Sequence, residues 1–138
     1  MQIIFNSPYY LKKRDIKRII PILNKELNLR LDSITIHFIS DEAVLEINRQ
    51  YLGHDFYTDI ITFDLRDEFS QEAEIYISAE RIEENSRLHY ATNEEELARV
   101  CIHGLLHLSG VKDKTEKEKK HMTELEEIYL KKLFHVKP

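Results

Sequence analysis

The sequence predicts an α+β domain spanning residues 1–138: a small, mainly parallel mixed four-stranded sheet packed with about five helices. Three observations predict it. Segments of period two and segments of period near 3.6 follow one another in mixed order. Breakers are scarce, three glycines and three prolines in 138 residues, and no low-complexity or Pro/Gly-rich linker divides the chain. One helical segment is apolar nearly all round, so it must be covered on most sides, and it carries the candidate metal site at the centre of the domain.

Each element follows from its residues. QIIF, 2–5, is a short strand. Residues 11–28 read as a helix, with Ile16, Ile19, Ile20, Leu23 and Leu27 at spacings of three and four. Pro21 inside it removes one helical donor and predicts a kink. Residues 32–39 alternate Ile34, Ile36 and Phe38 as a strand. Ser40 is placed to cap a helix over 41–51. Strands over 60–65 and 73–78 are joined by a polar turn, which suits a hairpin, and a helix over 79–88 follows. Thr92 precedes Glu95 by three, and Thr115 precedes Glu118 by three. Both are capping-box patterns, starting helices over about 93–109 and 115–134. Gly110 stands where a helix end favours positive φ.

Composition narrows the function classes. A chain 42% hydrophobic and 33% charged is globular rather than disordered. No apolar run approaches the roughly 20 residues that cross a bilayer, and the N-terminus lacks a secretory pattern. Cys101 is the single cysteine, which excludes an internal disulfide and fits a cytoplasmic location. A net charge of −5 argues against a broad nucleic-acid-coating surface but leaves room for a local basic groove.

The chemistry gathers in CIHGLLHLSGVKDK, 101–114. His103 and His107 are the ionisable side chains of the C-terminal half of their helix, apart from the Cys101 thiol, and they share a face one turn apart. Gly110 ends the helix and lets the chain fold back so that Asp113 joins them, giving H-x3-H-x5-D. Two imidazoles and a carboxylate are a donor set for zinc, and catalytic zinc sites commonly use three protein ligands plus water. The other reading is two core histidines bonded to backbone, with Asp113 as a loop residue. His121 lies on the next helix and reads as a surface residue; Cys101 points to a different face and reads as core. The position after the first histidine, where H-E-x-x-H peptidases carry their catalytic Glu, is Gly104.

The run HGLLHLSG, 103–110, closely resembles the signature H-G-x-L-H-L-x-G of the YbeY endoribonucleases, a family of rRNA maturation factors. Gly after the first histidine is normal there. INRQYLGHDFYTDIITF, 47–63, resembles a second family block at Asn48, Tyr51, Asp55, Thr58, Asp59 and Phe63. AEIYIS, 73–78, resembles a third, weaker one, with Glu74 in the acidic position. The resemblance implies a zinc-dependent, single-strand-directed endoribonuclease with one bound ion. It would act in 3′-end maturation of small-subunit (16S) rRNA and in ribosome quality control. Its partners would be RNA and the small ribosomal subunit, with no membrane and no DNA. The metal ligands would be His103, His107 and Asp113.

This chain departs from the family at three places. Asp113 stands where a third histidine is usual; its negative charge should make the ion a weaker Lewis acid. Leu52 replaces an arginine suited to gripping phosphate; Lys112, Lys114 and His54 are the candidates to take over. Tyr57 replaces a proline. Asp59 and Glu74 are possible general bases, and neither is assigned. Lys112 and Lys114 adjoin the metal motif as candidate substrate-binding residues. Lys12, Lys13, Arg14, Lys17 and Arg18 form a second basic cluster near the first helix, and Tyr51, Phe56 and Tyr57 could stack on unpaired bases. Two rival readings remain: a metal-dependent hydrolase of another bond, such as an amide, and a non-catalytic ribosome-assembly factor whose metal is structural. A fourth protein ligand would favour the structural metal; an open position facing a cleft would favour catalysis.

Overall fold

The computed structural model describes residues 1–9 and 11–134. Its elements run β1 (Gln2–Asn6), α1 (Arg14–Glu26), β2 (Ser33–Ile39), α2 (Asp41–Leu52), β3 (Ile60–Asp64), β4 (Glu72–Ser78), α3 (Ala79–Leu88), α4 (Asn93–Leu108) and α5 (Glu116–Tyr129). The sheet order is β1-β2-β4-β3. β1 pairs parallel to β2 and β2 parallel to β4, while β3 returns antiparallel on β4. The expected mixed, mainly parallel sheet and the β3–β4 hairpin are both present. In the hairpin turn the Asp67 side chain accepts hydrogen bonds from the Phe69 and Ser70 amides.

The strand period sorts the two sheet faces. Ile34, Ile36 and Phe38 of β2 and Ala73, Ile75 and Ile77 of β4 are buried on one face. That face takes α1, through Ile16, Ile19, Ile20 and Leu23, and α4, through residues such as Leu97, Cys101 and Leu105. Helix α4 is covered by the sheet, α1, α3 and α5 together. This explains why ten of its residues are buried and its apolar stripe widens to most of its circumference. The opposite face carries His37, Glu74 and Tyr76.

Helix ends follow the expected chemistry with two adjustments. Ser40, Thr92 and Thr115 side chains accept from the amides of Ala43, Glu95 and Glu118, each at 3.1 Å. At Thr115 the box is reciprocal, because Glu118 Oε1 accepts from the Thr115 amide at 2.9 Å. Helix α1 is shorter than its periodic pattern at both ends; no side chain caps it at Lys13, and Asn28 just beyond it has φ of 54°. It runs through Pro21, which is exposed. Helix α5 gives way at Leu130 to a π-type turn through Phe134, which buries Leu130 and Leu133.

The end of α4 determines where the next residues go. Gly110 has φ of 101°, the Gly110 amide donates to the His107 carbonyl, and the Val111 amide donates to the Leu106 carbonyl. These two bonds are a Schellman ending, which reverses the chain after a left-handed residue. The chain therefore turns back over the last turn of α4 and carries Asp113 with it.

Candidate metal centre

His103 and His107 stand one turn apart on α4 with ring planes at 81° and centroids 4.5 Å apart. Their Nε2 atoms face each other at 3.0 Å. Asp113 Oδ2 lies 3.3 Å from His103 Nε2 and 3.2 Å from His107 Nε2. Ligands held at about 2.0–2.2 Å around a tetrahedral ion sit roughly 3.3–3.6 Å from one another, so this near-equilateral trio needs to open by only a few tenths of an ångström to hold a single ion. Among the described residues the cluster holds these three donors and no fourth.

The trio faces a cleft of about 450 Å³. One wall is α4 and the Asp113–Lys114 segment; the floor is β3, through Ile60, Thr62 and Asp64; the far wall is the end of α2, with Leu52, and the α2–β3 loop, with His54, Phe56 and Thr58. Asn48 builds that far wall. Its buried side chain donates to the Phe56 carbonyl at 2.8 Å, and its own carbonyl accepts from the His54 amide at 3.1 Å. Gly53, with φ of 67°, makes the turn between them. Arg49 and Asp55 are ion-paired across the same loop. The His54 ring stacks on Phe56 with centroids 5.1 Å apart.

Gly104 explains itself on the neighbouring, sheet-facing side of α4. A Cβ there would meet Ile60 Cδ1 at 3.0 Å, Ile75 Cδ1 at 3.1 Å and Thr62 Oγ1 at 3.2 Å. The helix packs so closely on β3 and β4 that even a methyl would push its neighbours back by a few tenths of an ångström, and the longer Glu of a zinc peptidase does not fit. Close packing here brings His103 and His107 to the edge of β3, where the cleft opens.

The other sequence-derived candidates are sorted by the fold. Lys114 lines the cleft; Lys112 is exposed outside its lining. Leu52 lines the cleft, so the family's arginine position is apolar here. His121 is exposed and Cys101 is fully buried, its thiol pushed up to about 12 by desolvation. Asp59 starts the hairpin, its carbonyl accepting from the Ser78 amide at 3.0 Å. Burial raises its carboxyl pKa, with His103 opposing the rise. Glu74 lies on the sheet face away from α4, bonded to Tyr76 Oη at 3.1 Å and 3.9 Å from His37. Strand alternation thus takes Glu74 away from the cleft. Lys12, Lys13, Arg14, Lys17 and Arg18 gather around the start of α1, with Lys13 and Lys17 over the Phe5 ring. Of the three aromatic candidates, Phe56 lines the cleft, Tyr51 packs edge-on to Phe63, and Tyr57 bonds Glu42.

Sequence reasoning missed Glu126. It comes from α5, is 8% exposed, and its Oε2 lies 2.7 Å from His103 Nδ1. Burial opposes charging His103, but the Glu126 hydrogen bond and the neighbouring carboxylates outweigh it and raise the His103 pKa. The available signal was periodicity: Met122, Glu126, Leu130 and Leu133 recur at four, four and three, which puts an acid on the apolar stripe.

None of the described helices is long and apolar enough to cross a membrane. Residues 9–134 match the family model described as endoribonuclease YbeY. The chain is 41% identical over 127 residues to a Cytophaga hutchinsonii protein named endoribonuclease YbeY, covering 91% of this chain and 89% of that one. It is 50% identical over 102 residues to a protein of the same name from Flavobacterium psychrophilum, covering 72% and 71%. A solution structure of a Thermotoga maritima protein superposes with a TM-score of 0.62 at 29% identity, covering 97% of this chain and 89% of that one. A family match over nearly the whole chain, with relatives this similar and the signature histidines converging on one point, leads to one conclusion: the chain belongs to the YbeY endoribonuclease family.

Proposed function

We propose that this protein is a zinc-dependent, single-strand-directed endoribonuclease that acts in the cytoplasm on the 3′ end of small-subunit (16S) rRNA, in contact with the small ribosomal subunit. The observation that carries the reading is the convergence of His103, His107 and Asp113 at an open cleft with no fourth protein donor among the described residues. Three ligands and an open position are the catalytic pattern; closed structural sites use four. This weighs against the assembly-factor reading. Gly104 weighs against amide hydrolysis, because its packing leaves no space for a peptidase-type Glu.

A zinc ion bound here would acidify water and polarise a phosphoryl oxygen. The protein's own residues divide the remaining work. Asp113 adds one negative charge to the two neutral imidazoles and so tempers that acidity. With Leu52 apolar, Lys114 and His54 are the donors on opposite walls that can meet phosphate oxygens. Phe56 offers a ring face beside them for an unpaired base.

Zinc-loaded protein is expected to cut an unstructured RNA ending in the 16S 3′ sequence. His103→Ala and Asp113→Ala are expected to lose both the metal and the cleavage. Equal cleavage by the wild type and His103→Ala would assign the activity to a contaminant. Metal retained by Asp113→Ala at wild-type affinity would remove Asp113 from the ligand set.

A further inference from the structure

His103 is held from both ends. Its Nε2 faces His107 and Asp113, and its Nδ1 faces Glu126 Oε2 at 2.7 Å. An ionised carboxylate can only accept a hydrogen bond, so Nδ1 is the donor to Glu126, and in the neutral ring this leaves the Nε2 lone pair for the site. Glu126 is itself held. Arg99, one turn before His103 on α4, places Nη1 at 3.7 Å from Glu126 Oε1 and Nη2 at 2.6 Å from Glu127 Oε1. Arg99 Nε also lies 3.8 Å from Glu96 Oε2, a carboxylate 2% exposed. Two buried carboxylates on two helices thus share one guanidinium, and the one nearer the cleft is bonded to a candidate ligand. Removing a carboxylate from water is expensive unless it is paired and hydrogen-bonded.

We propose that Glu126 is the positioning residue of the metal centre: it fixes the Nδ1–H tautomer and the ring orientation of His103 and raises the basicity of the Nε2 donor. The inference rests on the metal reading above. It ties metal binding to the docking of α5 on α4, because the carboxylate comes from one helix and the imidazole from the other. His107 has no such carboxylate on its Nδ1 among the described residues, so the two imidazoles are expected to differ in how much of their placement comes from packing alone.

The test is metal affinity measured by competition with a chromophoric chelator, with cobalt(II) absorption as a second readout of ligand geometry. Carboxylates that orient a ligating histidine typically contribute about 10–100-fold in affinity, so Glu126→Ala should bind zinc weaker by that factor. Glu126→Gln retains an oxygen that accepts from Nδ1–H but not the charge, and should fall between wild type and Glu126→Ala. Thr123→Ala, on the exposed side of α5, should match the wild type. A role confined to the fold would change the thermal stability of the metal-free variants but leave the affinity and cobalt spectrum of the folded protein alone. Wild-type affinity in folded Glu126→Ala overturns the proposal while leaving the metal site standing. If Glu126→Ala does not fold, an unchanged affinity and spectrum in Glu126→Gln overturns it, and a several-fold loss supports it. Failure of the wild type to bind metal overturns the underlying reading as well.

Discussion

Rewriting the signature to H-E-x-x-H by Gly104→Glu should destroy the domain, not convert it to a peptidase. The smaller change Gly104→Ala measures the same contact. Replacing glycine by alanine in a helix interior stabilises by about 1 kcal/mol through propensity alone. Against this, the new Cβ would meet Ile60 Cδ1 at 3.0 Å, Ile75 Cδ1 at 3.1 Å and Thr62 Oγ1 at 3.2 Å. Overpacking of a filled core costs about 1–3 kcal/mol. Two of the neighbours are tips of isoleucine chains that can rotate, so the lower half of that range applies. The net expectation for Gly104→Ala is destabilisation by about 0–1 kcal/mol. For a domain of this length a loss of 1 kcal/mol lowers Tm by roughly 3–4 °C. Gly104→Glu would instead force a carboxylate between Ile60 and Ile75, a loss of at least about 4 kcal/mol. Thermal unfolding followed by circular dichroism checks both. The reasoning is refuted if Gly104→Glu melts with the wild type, or if Gly104→Ala gains the full propensity term.

Arg66 donates to Asp64 through Nε and Nη2 and to the Leu29 and Leu108 carbonyls, so it ties β3 to the end of α4. Arg66→Ala should cost about 1–3 kcal/mol in denaturant unfolding at pH 7. The Arg66 hydrogen bond holds the Asp64 carboxyl below its ordinary value. Its contribution is therefore full above the unfolded value of about 4 and lost as pH falls through the folded pKa, so wild type and Asp64→Asn should converge in stability at acid pH. A constant gap between them from pH 7 to pH 3 would sink this account. Cys101 is fully buried with its thiol pushed up to about 12, and should react with a thiol reagent at pH 8 only on unfolding; rapid labelling of the native protein would contradict its burial. Lys114→Ala should weaken RNA binding and flatten its salt dependence by about one phosphate contact, whereas Lys112→Ala should do less, as filter binding at several salt concentrations would reveal.

Most of the fold was legible because local rules and tertiary packing agree. The alternation in SITIHFI, the caps at Ser40, Thr92 and Thr115, and the left-handed stop at Gly110 all describe interactions within a few residues. The ends of α1 were less legible, since its apolar spacing continues past the point where caps and backbone stop the helix. Glu74 shows the limit on the chemical side. Its place in a family-like block made it a candidate base, and only the choice of which face of β4 packs on α4 removes it from the cleft.

By itself the sequence determined the element types, the burial of the C-terminal half of α4 on most sides and the pairing of His103 with His107, because helix periodicity places residues one turn apart wherever the helix sits. It also placed Asp113 beyond a glycine stop at a workable distance. The tertiary structure alone decided that Gly104 is the contact between α4 and the sheet, that Lys114 rather than Lys112 lines the cleft, and that Glu126 reaches His103 across 23 positions of chain. The physical reason is common to all three. Each depends on how two separate elements dock, and docking is set by the shape of the whole core rather than by any pattern within a single segment.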